Sequence, residues 1–417
     1  MAEASLKLGT DWATKEGSLL GFNDENGNYK PIPFDFTRAT TATRVNRDGL
    51  IEEVQDNIPR IDFSSGDGSL LLEPQRTNLI TYSEDISSWT NSGGLTRTYN
   101  IALSPDGNIT ADGIQDETGG TFKYIYQQVS VSANSTYSGS LFVKKELSET
   151  NYMGITLYFT GGSAKIAYGI INTVDGTIVE AGSTITPTFK VDDYGDYWRF
   201  SITATDNGSN TSVRFGVYAC LSTNGTSLGV GISSVRTIWG AQLEAGSYAT
   251  SLIKTSGASV TLNTDQAIPP STSYDLSGSF SIFFSFGKTR KLTAGSTYFY
   301  WLNTNANDFM LYTNSSGSSG LNVYLPNQGG YVFDSSQNDA WNADASKICI
   351  TYNATTGRLA YFINGSKYNE QTSILSFTGD DVGSFIEGGS NNLAEIKQYM
   401  FFTQALSDEE VINLTTI

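Results

Sequence analysis

The sequence predicts an all-β fold, in which an N-terminal region precedes two antiparallel β-sandwich (jelly-roll) domains. Runs in which apolar and polar residues alternate recur along the chain, and clusters of Gly, Asn, Asp and Ser separate them. Glycine occupies 42 of the 417 positions and aromatic residues make up 12 %, a composition typical of sandwiches with many turns. Within residues 81–255 no ten-residue stretch shows a helical period, and a chain of 417 residues accommodates two or three domains.

Residues 1–80 are interpreted as an N-terminal arm and an arginine-rich collar. The start of this region carries few apolar side chains at any regular spacing, which favours an extended arm. A hairpin is predicted around Asp48-Gly49, because this pair suits a turn that needs positive φ. Strands are predicted at Arg60–Phe63 and Leu70–Leu72, with turn-forming residues between them.

Arginines and acidic residues alternate along this collar, so Arg–carboxylate pairing is the expected use of both. An anion-binding site is the alternative, but no Gly-rich phosphate loop adjoins any of these arginines. The predicted members of structural ion pairs are Arg38, Arg60, Glu73 and Arg76.

Residues 81–256 are predicted to form the first sandwich. Its core candidates are Trp198, Phe200, Phe215 and Trp239. Residues 257–270 are interpreted as a linker, since small residues precede Pro269-Pro270, which cannot continue a central strand. The predicted strands of the sandwich include residues 122–127, 136–144, 153–159, 198–205 and 212–218.

Residues 271–417 restart the strand pattern and are predicted to form the second sandwich. Asn364-Gly365 is predicted as a two-residue hairpin turn, because this pair accepts positive φ at both positions. Ser407 and Glu410 have the spacing of a capping box, which predicts a short terminal helix. The predicted strands are residues 280–286, 297–303, 309–313, 321–325, 347–352 and 359–363.

Charge, hydropathy and cysteine content argue against several kinds of partner and site. The formal net charge is −17, so a nucleic acid, which is bound through Lys and Arg, is not an expected partner. The longest apolar stretch, Phe280–Phe286, is far shorter than a membrane span, and the N-terminus lacks the pattern of a secretory leader. We therefore expect no membrane insertion. Cys220 and Cys349 are predicted to be buried, inert thiols in different domains.

The chain contains no histidine, which removes the commonest general base and the commonest zinc ligand. We therefore expect no catalytic residue, no metal and no other cofactor. The remaining enzymatic alternative is a pair of carboxylates, with the candidates Asp192, Asp193, Asp196 and Glu244. The three aspartates are better explained as a solvated turn before a strand. Calcium at Asp334, Asp380 or Asp381 is not expected, because no spaced series of acidic ligands surrounds them.

Four stretches within residues 34–265 carry a family resemblance. They are FTRATTATRVNRDGLIEEV, NIPRIDF, SLLLEPQRTNLITYSEDISSW and WGAQLEAGSYATSLIKTSGASVTLNTD. The first three resemble a segment of bacteriophage virion proteins, chiefly tail fibres and other receptor-binding appendages. The fourth resembles the end of the carbohydrate-binding-module-like sandwich that commonly follows this segment. The resemblance implies that residues 1–80 attach the protein to a virion.

The last domain carries a second resemblance, in the stretches GSFSIFFSFG, WNADASKICITYNATTGRLAYFINGSKY and NLAEIKQYMFFTQALSDEEVINL. These resemble concanavalin-A-like (laminin-G-like) lectin sandwiches, which implies sugar binding. Because sugar sites need exposed aromatic faces, the carbohydrate-binding candidates are Tyr331, Trp301 and Trp341. Trp341 is also explained as a structural residue that opens a strand.

The favoured hypothesis is a non-enzymatic subunit of a phage tail or head fibre or spike that binds host surface glycans. Its partners would be a host cell-surface polysaccharide and other virion structural proteins. A homo-oligomer, a trimer, is expected because repetition makes weak single-site binding useful. The expected location is the virion surface, after assembly in the bacterial host cytoplasm. The alternatives are a capsid-decorating or tail-assembly protein that binds no sugar, and a carboxylate-dependent glycan depolymerase.

Overall fold

The computed structural model divides into two compact units. The first unit comprises residues 1–47, 53–75 and 263–417, and the second comprises residues 48–52 and 76–262. The residues that the structure describes are 6–9, 13–15, 18–23, 28–31, 35–118, 122–146, 152–180, 182–206, 208–219, 233–268, 278–290, 297–303, 309–313, 321–325, 330–333, 346–372, 382–385 and 393–417.

The fold is all-β, with antiparallel sheets in a sandwich-like arrangement, which confirms the predicted fold class. The strands before residue 76 are β1 (Leu6–Gly9), β2 (Ala13–Lys15), β3 (Ser18–Asn23), β4 (Asn28–Pro31), β5 (Asp35–Thr37), β6 (Ala42–Val45), β7 (Ile51–Val54), β8 (Arg60–Asp62) and β9 (Ser69–Leu72). The strands of residues 76–262 are β10 (Arg76–Asn78), β11 (Thr90–Ser92), β12 (Thr96–Leu103), β13 (Ile109–Gln115), β14 (Tyr124–Ser130), β15 (Thr136–Lys144), β16 (Tyr152–Thr160), β17 (Lys165–Asn172), β18 (Ile178–Glu180), β19 (Thr188–Tyr194), β20 (Tyr197–Thr205), β21 (Ser212–Tyr218), β22 (Arg236–Ala245) and β23 (Val260–Leu262).

The remaining strands are β24 (Gln266–Ile268), β25 (Phe280–Arg290), β26 (Thr297–Asn303), β27 (Phe309–Thr313), β28 (Leu321–Leu325), β29 (Gly330–Phe333), β30 (Ser346–Asn353), β31 (Arg358–Ile363), β32 (Ser366–Thr372), β33 (Val382–Phe385) and β34 (Leu393–Phe402). The helix α1 spans Asp408–Thr415, and a 3-10 turn spans Ile86–Ser88.

In the second unit, described strands form two six-stranded sheets around one core. Sheet A has the order β11-β14-β21-β16-β17-β18, and sheet B has the order β12-β13-β22-β15-β20-β19. Alternate residues of each strand point into the core, as Met153, Ile155, Leu157 and Phe159 do on β16. The apolar side chains of both sheets therefore exclude water from a common interior.

Three of the four predicted core residues take part in this core. Phe200 and Phe215 are fully buried in it, and Trp198 packs against it while partly buried. Trp239 is also buried, but its neighbour Ile238 takes the core side of β22. The Trp239 ring instead packs on Phe142, at a centroid distance of 5.5 Å.

In the first unit, strands from distant parts of the chain share sheets. One sheet has the order β32-β31-β30-β25-β34-β9-β8, with β1 also paired to β34, and another has the order β29-β28-β27-β26-β33-β24-β5. The collar strands β8 and β9 thus extend a sheet of C-terminal strands, with Leu70 opposite Ile396. The predicted domain boundary lies between residues 80 and 81, whereas the units divide between Gln75 and Arg76.

Residues 257–270, interpreted from the sequence as a linker, contain two described strands. β23 pairs with β10, and β24 pairs with β5 and β33. Asp265 lies between β23 and β24 and is fully buried. The segment is held in place because this buried acid is an ion-pair partner of buried arginines.

Three local predictions are confirmed. Asn364 and Gly365 have φ of 49° and 78° and join β31 to β32. Ser407 accepts a hydrogen bond from the Glu410 backbone amide, and the Glu410 side chain accepts one from the Ser407 amide, which completes the capping box of α1. Gly49 has φ of 81° in the turn between β6 and β7.

Of the two cysteines, the structure describes Cys349. Cys349 is a fully buried thiol, and burial raises its pKa. Cys220 lies outside the described residues. Within the described part of the chain, no helix has the length and apolar character needed to cross a membrane.

Candidate functional site

Six tyrosines lie on one face of sheet A. On β14, β16, β17 and β21, alternate residues belong to the core, so the intervening residues occupy the opposite face. The tyrosines on that opposite face are Tyr124, Tyr126, Tyr152, Tyr158, Tyr168 and Tyr218. Tyr218 is 8 % exposed, and the other five are half-buried. We call these six residues, together with Gln128 and Arg214, the tyrosine face.

Strand register arranges the tyrosine face in rows that cross four strands. One row is Tyr126, Gly216, Thr156 and Tyr168, and the next row is Gln128, Arg214, Tyr158 and Ile166. Because side chains directly opposite each other on neighbouring strands are in contact range, each row forms a continuous surface. The face is therefore a platform of aromatic and polar side chains about four strands wide.

The rings pack closely against one another and against the backbone. Tyr124 stacks on Tyr218 with a centroid distance of 4.7 Å and an interplanar angle of 18°, and lies 5.5 Å from Tyr126. A Cβ atom at Gly216 would lie 2.7 Å from the Thr156 Oγ1 atom and 3.4 Å from the Tyr218 ring. Glycine at position 216 thus lets these side chains lie close to the strand.

Arg214 lies among the tyrosine rings. Its guanidinium carbon is 4.9 Å from the centroid of Tyr126 and 5.7 Å from that of Tyr158. Its Nε atom donates a hydrogen bond of 2.7 Å to the Gln128 Oε1 atom. These contacts are cation–π interactions plus one hydrogen bond to a neutral amide oxygen, and together they fix the plane of the guanidinium.

The tyrosine face combines apolar ring surfaces with neutral hydroxyls. Burial raises the pKa of Tyr218 and of Tyr168, so both hydroxyls stay protonated at neutral pH and can donate hydrogen bonds. Across β14, β16, β17 and β21, which the structure describes in full, no residue of this face is acidic. Rings with apolar faces and polar edges suit a ligand that has both, as a pyranose does.

The acidic residues considered for catalysis differ in burial and in partners. Asp193 is 61 % exposed in its side chain and pairs with Lys145 at 2.5 Å, and Asp192 pairs with Lys190 at 2.8 Å. Glu244 is fully buried, and its carboxylate accepts hydrogen bonds from Thr250 and Gln242.

The carbohydrate-binding candidates of the last domain are only partly described. Trp301 lies on β26, opposite Met310 of β27, and Tyr331 lies on β29, opposite Tyr324 of β28. The side chains of Trp301 and Tyr331 lie outside the described part of the structure, as does all of Trp341. The role of these three residues stays a prediction.

Three of the four residues assigned to ion pairs lie in one buried cluster of the first unit. Arg60 donates to Glu73 at 2.9 Å and also pairs with Asp265, and Arg38 pairs with Asp265 at 3.0 Å. Although burial lowers it, the pKa of Arg60 is raised by the charges of Asp265 and Glu73. In the second unit, Arg76 lies over the Tyr248 ring, 5.3 Å from its centroid.

Because the chain has no histidine, its acidic and cysteine side chains are the candidate metal ligands. Within the described ranges, no group of three or more Cys, Asp or Glu residues could hold a metal ion. Asp334, Asp380 and Asp381, considered for calcium, lie outside those ranges.

The sequence analysis did not identify the tyrosine face, although the signal is present. Tyr124 and Tyr126 alternate with the core residue Ile125, and Tyr152 and Tyr158 lie on the non-core face of β16. A strand with apolar residues on its core side normally carries polar residues on the other side. Aromatic residues at those positions on four neighbouring strands depart from this pattern.

Comparisons with known proteins find distant structural likeness. No protein-family model and no curated protein matches the chain. A CBM40 of the Ruminococcus gnavus IT-sialidase, bound to α2,3-sialyllactose, is 18 % identical with a TM-score of 0.28, over 34 % of this chain and 83 % of that one.

Two further structures are similarly distant. The binding domain of Botulinum neurotoxin DC, in complex with rat synaptotagmin II, is 17 % identical with a TM-score of 0.29, over 36 % of this chain and 40 % of that one. A SAP-like pentraxin from Limulus polyphemus is 14 % identical with a TM-score of 0.24, over 32 % of this chain and 68 % of that one. Values this low carry no argument about function.

Proposed function

We propose that this protein binds glycans through the tyrosine face and has no catalytic activity. The observation that carries the proposal is the set of six tyrosines on the non-core face of four adjacent strands. On this face Ile170 and Tyr218 are buried, and Tyr124, Tyr152 and Tyr168 pack against them. Tyr126 and Tyr158 lie outside that cluster, so their half-buried rings are the aromatic surface left for a ligand. The protonated hydroxyls at the ring edges supply hydrogen bonds to sugar hydroxyls.

The rings of Tyr126 and Tyr158 are the proposed stacking surfaces. Both are half-buried, and Arg214 lies over both, so their orientation is fixed before a ligand arrives. A preorganised aromatic surface loses little side-chain entropy on binding, which favours affinity. Tyr218 is more deeply buried and stacks on Tyr124, whose ring centroid lies 5.5 Å from that of Tyr126.

The biological setting of this activity is proposed from the sequence resemblance. The stretches within residues 34–265 that resemble phage virion proteins support a tail or head fibre or spike subunit on the virion surface. Its ligand would then be a host cell-surface polysaccharide, its other partners would be virion proteins, and a homotrimer would multiply weak single-site affinity. Tyr331, Trp301 and Trp341 are proposed as a second glycan site in the last domain.

A glycan array and a host-cell binding assay test this function with the full chain and three variants. Tyr126→Ala and Tyr158→Ala remove proposed stacking rings, and each is expected to lower affinity by about ten- to a hundredfold. Tyr99→Ala is the matched control, because Tyr99 is 46 % exposed on β12 of sheet B. Binding by the wild-type chain that both face variants retain in full would overturn the assignment of the site.

A further inference from the structure

Arg214 is the one charged residue on the non-core face of β14, β16, β17 and β21, all of which the structure describes. The chain as a whole carries a formal net charge of −17. The positive charge of Arg214 thus has no acidic residue beside it on this face, whereas the protein as a whole is strongly negative. A local positive charge on a negatively charged protein favours a ligand that carries an anionic group.

Some arginines of the protein pair with carboxylates, whereas Arg97 donates to backbone carbonyl oxygens and Arg199 to the Ser140 hydroxyl. Arg60 pairs with Glu73 and Asp265, and Arg358 pairs with Glu370 at 2.7 Å and with Asp408 at 2.6 Å. Among the described residues, Arg214 forms no ion pair: its contacts are the Gln128 amide oxygen and the two tyrosine rings. Its Nε atom is used, which leaves the terminal nitrogens as donors for a ligand.

We propose that the tyrosine face is selective for an acidic glycan, whose sugar carboxylate is bound by the Arg214 guanidinium. This inference rests on the proposed glycan-binding function and names the class of its ligand. A planar guanidinium presents paired N–H donors that match the two oxygens of a carboxylate. The plane of the guanidinium is held in place by Tyr126, Tyr158 and Gln128. The pyranose ring would therefore stack on a tyrosine ring while its carboxylate binds to Arg214.

Matched pairs of polysaccharides test the charge of the ligand directly. The probes are polygalacturonate and colominic acid, each compared with its carboxyl-reduced form, and amylose as a neutral polymer. Reduction replaces the carboxylate with a primary alcohol and leaves the ring unchanged. The full chain is expected to bind at least one acidic polymer about ten- to a hundredfold more tightly than the reduced form, and less tightly as salt rises.

Three arginine variants test the residue. Arg214→Gln is expected to bind the acidic and reduced forms alike, and Arg214→Lys is expected to be intermediate, because an ammonium group keeps the charge without the paired donors. Arg47→Gln is the control, since Arg47 is exposed and also lies over an aromatic ring, 5.2 Å from the centroid of Phe63. Residual binding of reduced polymer by Arg214→Gln shows that the variant is folded.

The outcomes separate this inference from the function on which it rests. If the wild-type chain binds only amylose and the reduced polymers, and Tyr126→Ala abolishes that binding, the glycan-binding function stands and the acidic selectivity is overturned. If Arg214→Gln keeps the full preference for the acidic form, the role of Arg214 is overturned. If no polymer and no array glycan binds, both the glycan-binding function and the acidic selectivity are overturned.

Discussion

Arg60 and Asp265 form an ion pair across 205 positions of the chain, and neither side chain has any solvent exposure. Asp265 also accepts hydrogen bonds from Arg38 at 3.0 Å and from the backbone amide of Glu73 at 2.9 Å. With Glu73 as the second carboxylate, two positive charges meet two negative ones in the interior of the first unit. Each member depends on the others, because an unpaired buried charge is costly.

Replacing Asp265 should therefore destabilise the first unit severely. Asp265→Asn leaves two buried arginines facing one carboxylate, and we expect a loss of about 3 to 5 kcal/mol in the free energy of unfolding. Urea unfolding of the full chain measures this loss. Asp67→Asn is the control, because the Asp67 side chain is 88 % exposed, and it should change stability by less than about 0.5 kcal/mol. Equal, small effects of both variants would contradict the role of the cluster.

Glu244 should make the stability of the second unit pH-dependent. Burial raises the pKa of its carboxyl above the value in the unfolded chain. A raised pKa in the folded state means that the contribution to stability is complete below the unfolded pKa and is lost as pH rises through the folded one. Glu244→Gln keeps a carbonyl oxygen for the bonds from Gln242 and the Thr250 amide, without the charge.

We therefore expect the free energy of unfolding of Glu244→Gln to increase relative to wild type as pH rises above the pKa of a glutamate in the unfolded chain. Urea unfolding of the two proteins at several pH values gives this difference directly. A wild-type protein that gains stability over the variant as pH rises would show that the carboxylate is stabilising in its charged form.

The turn between β31 and β32 should depend on its glycine. Gly365 has φ of 78°, and a Cβ atom there would lie 2.9 Å from the Thr416 Oγ1 atom. Gly365→Ala should cost about 1 kcal/mol or more, since L residues with a Cβ atom disfavour this conformation. Gly278→Ala is the control, because no atom lies within 4 Å of its Cβ position. Thermal unfolding compares them, and identical midpoints would exclude the expected strain.

The local features of the fold could be predicted from sequence because short-range patterns determine them. The strand Ser212–Tyr218 has the predicted bounds, and the Asn364-Gly365 turn and the Ser407 capping box follow from adjacent residues. Arg60 and its partner Glu73 were both predicted to form ion pairs, but the second partner, Asp265, could not be predicted, because it lies in a stretch with linker-like composition. Its burial depends on pairing between β24 and β5, which local sequence does not encode.

The tyrosine face was not predicted from the sequence, for a related reason. Its strands β14, β16 and β21 correspond to predicted strands and β17 does not, but the row of Gln128, Arg214 and Tyr158 exists only through the register of β14, β21 and β16. Those three residues lie up to 86 positions apart, so no motif search joins them. Alternation within one strand gives the two faces of that strand, whereas the composition of a sheet face requires the strand order.

The most direct test of the account is to observe the tyrosines while a glycan binds. The full chain is labelled with ¹³C on its tyrosine rings, single Tyr→Phe variants assign the signals, and the tightest glycan of the array is titrated. The account predicts that the ring signals of Tyr126 and Tyr158 shift with ligand concentration while that of Tyr99 does not. Saturable binding that leaves the Tyr126 and Tyr158 signals unchanged would contradict it.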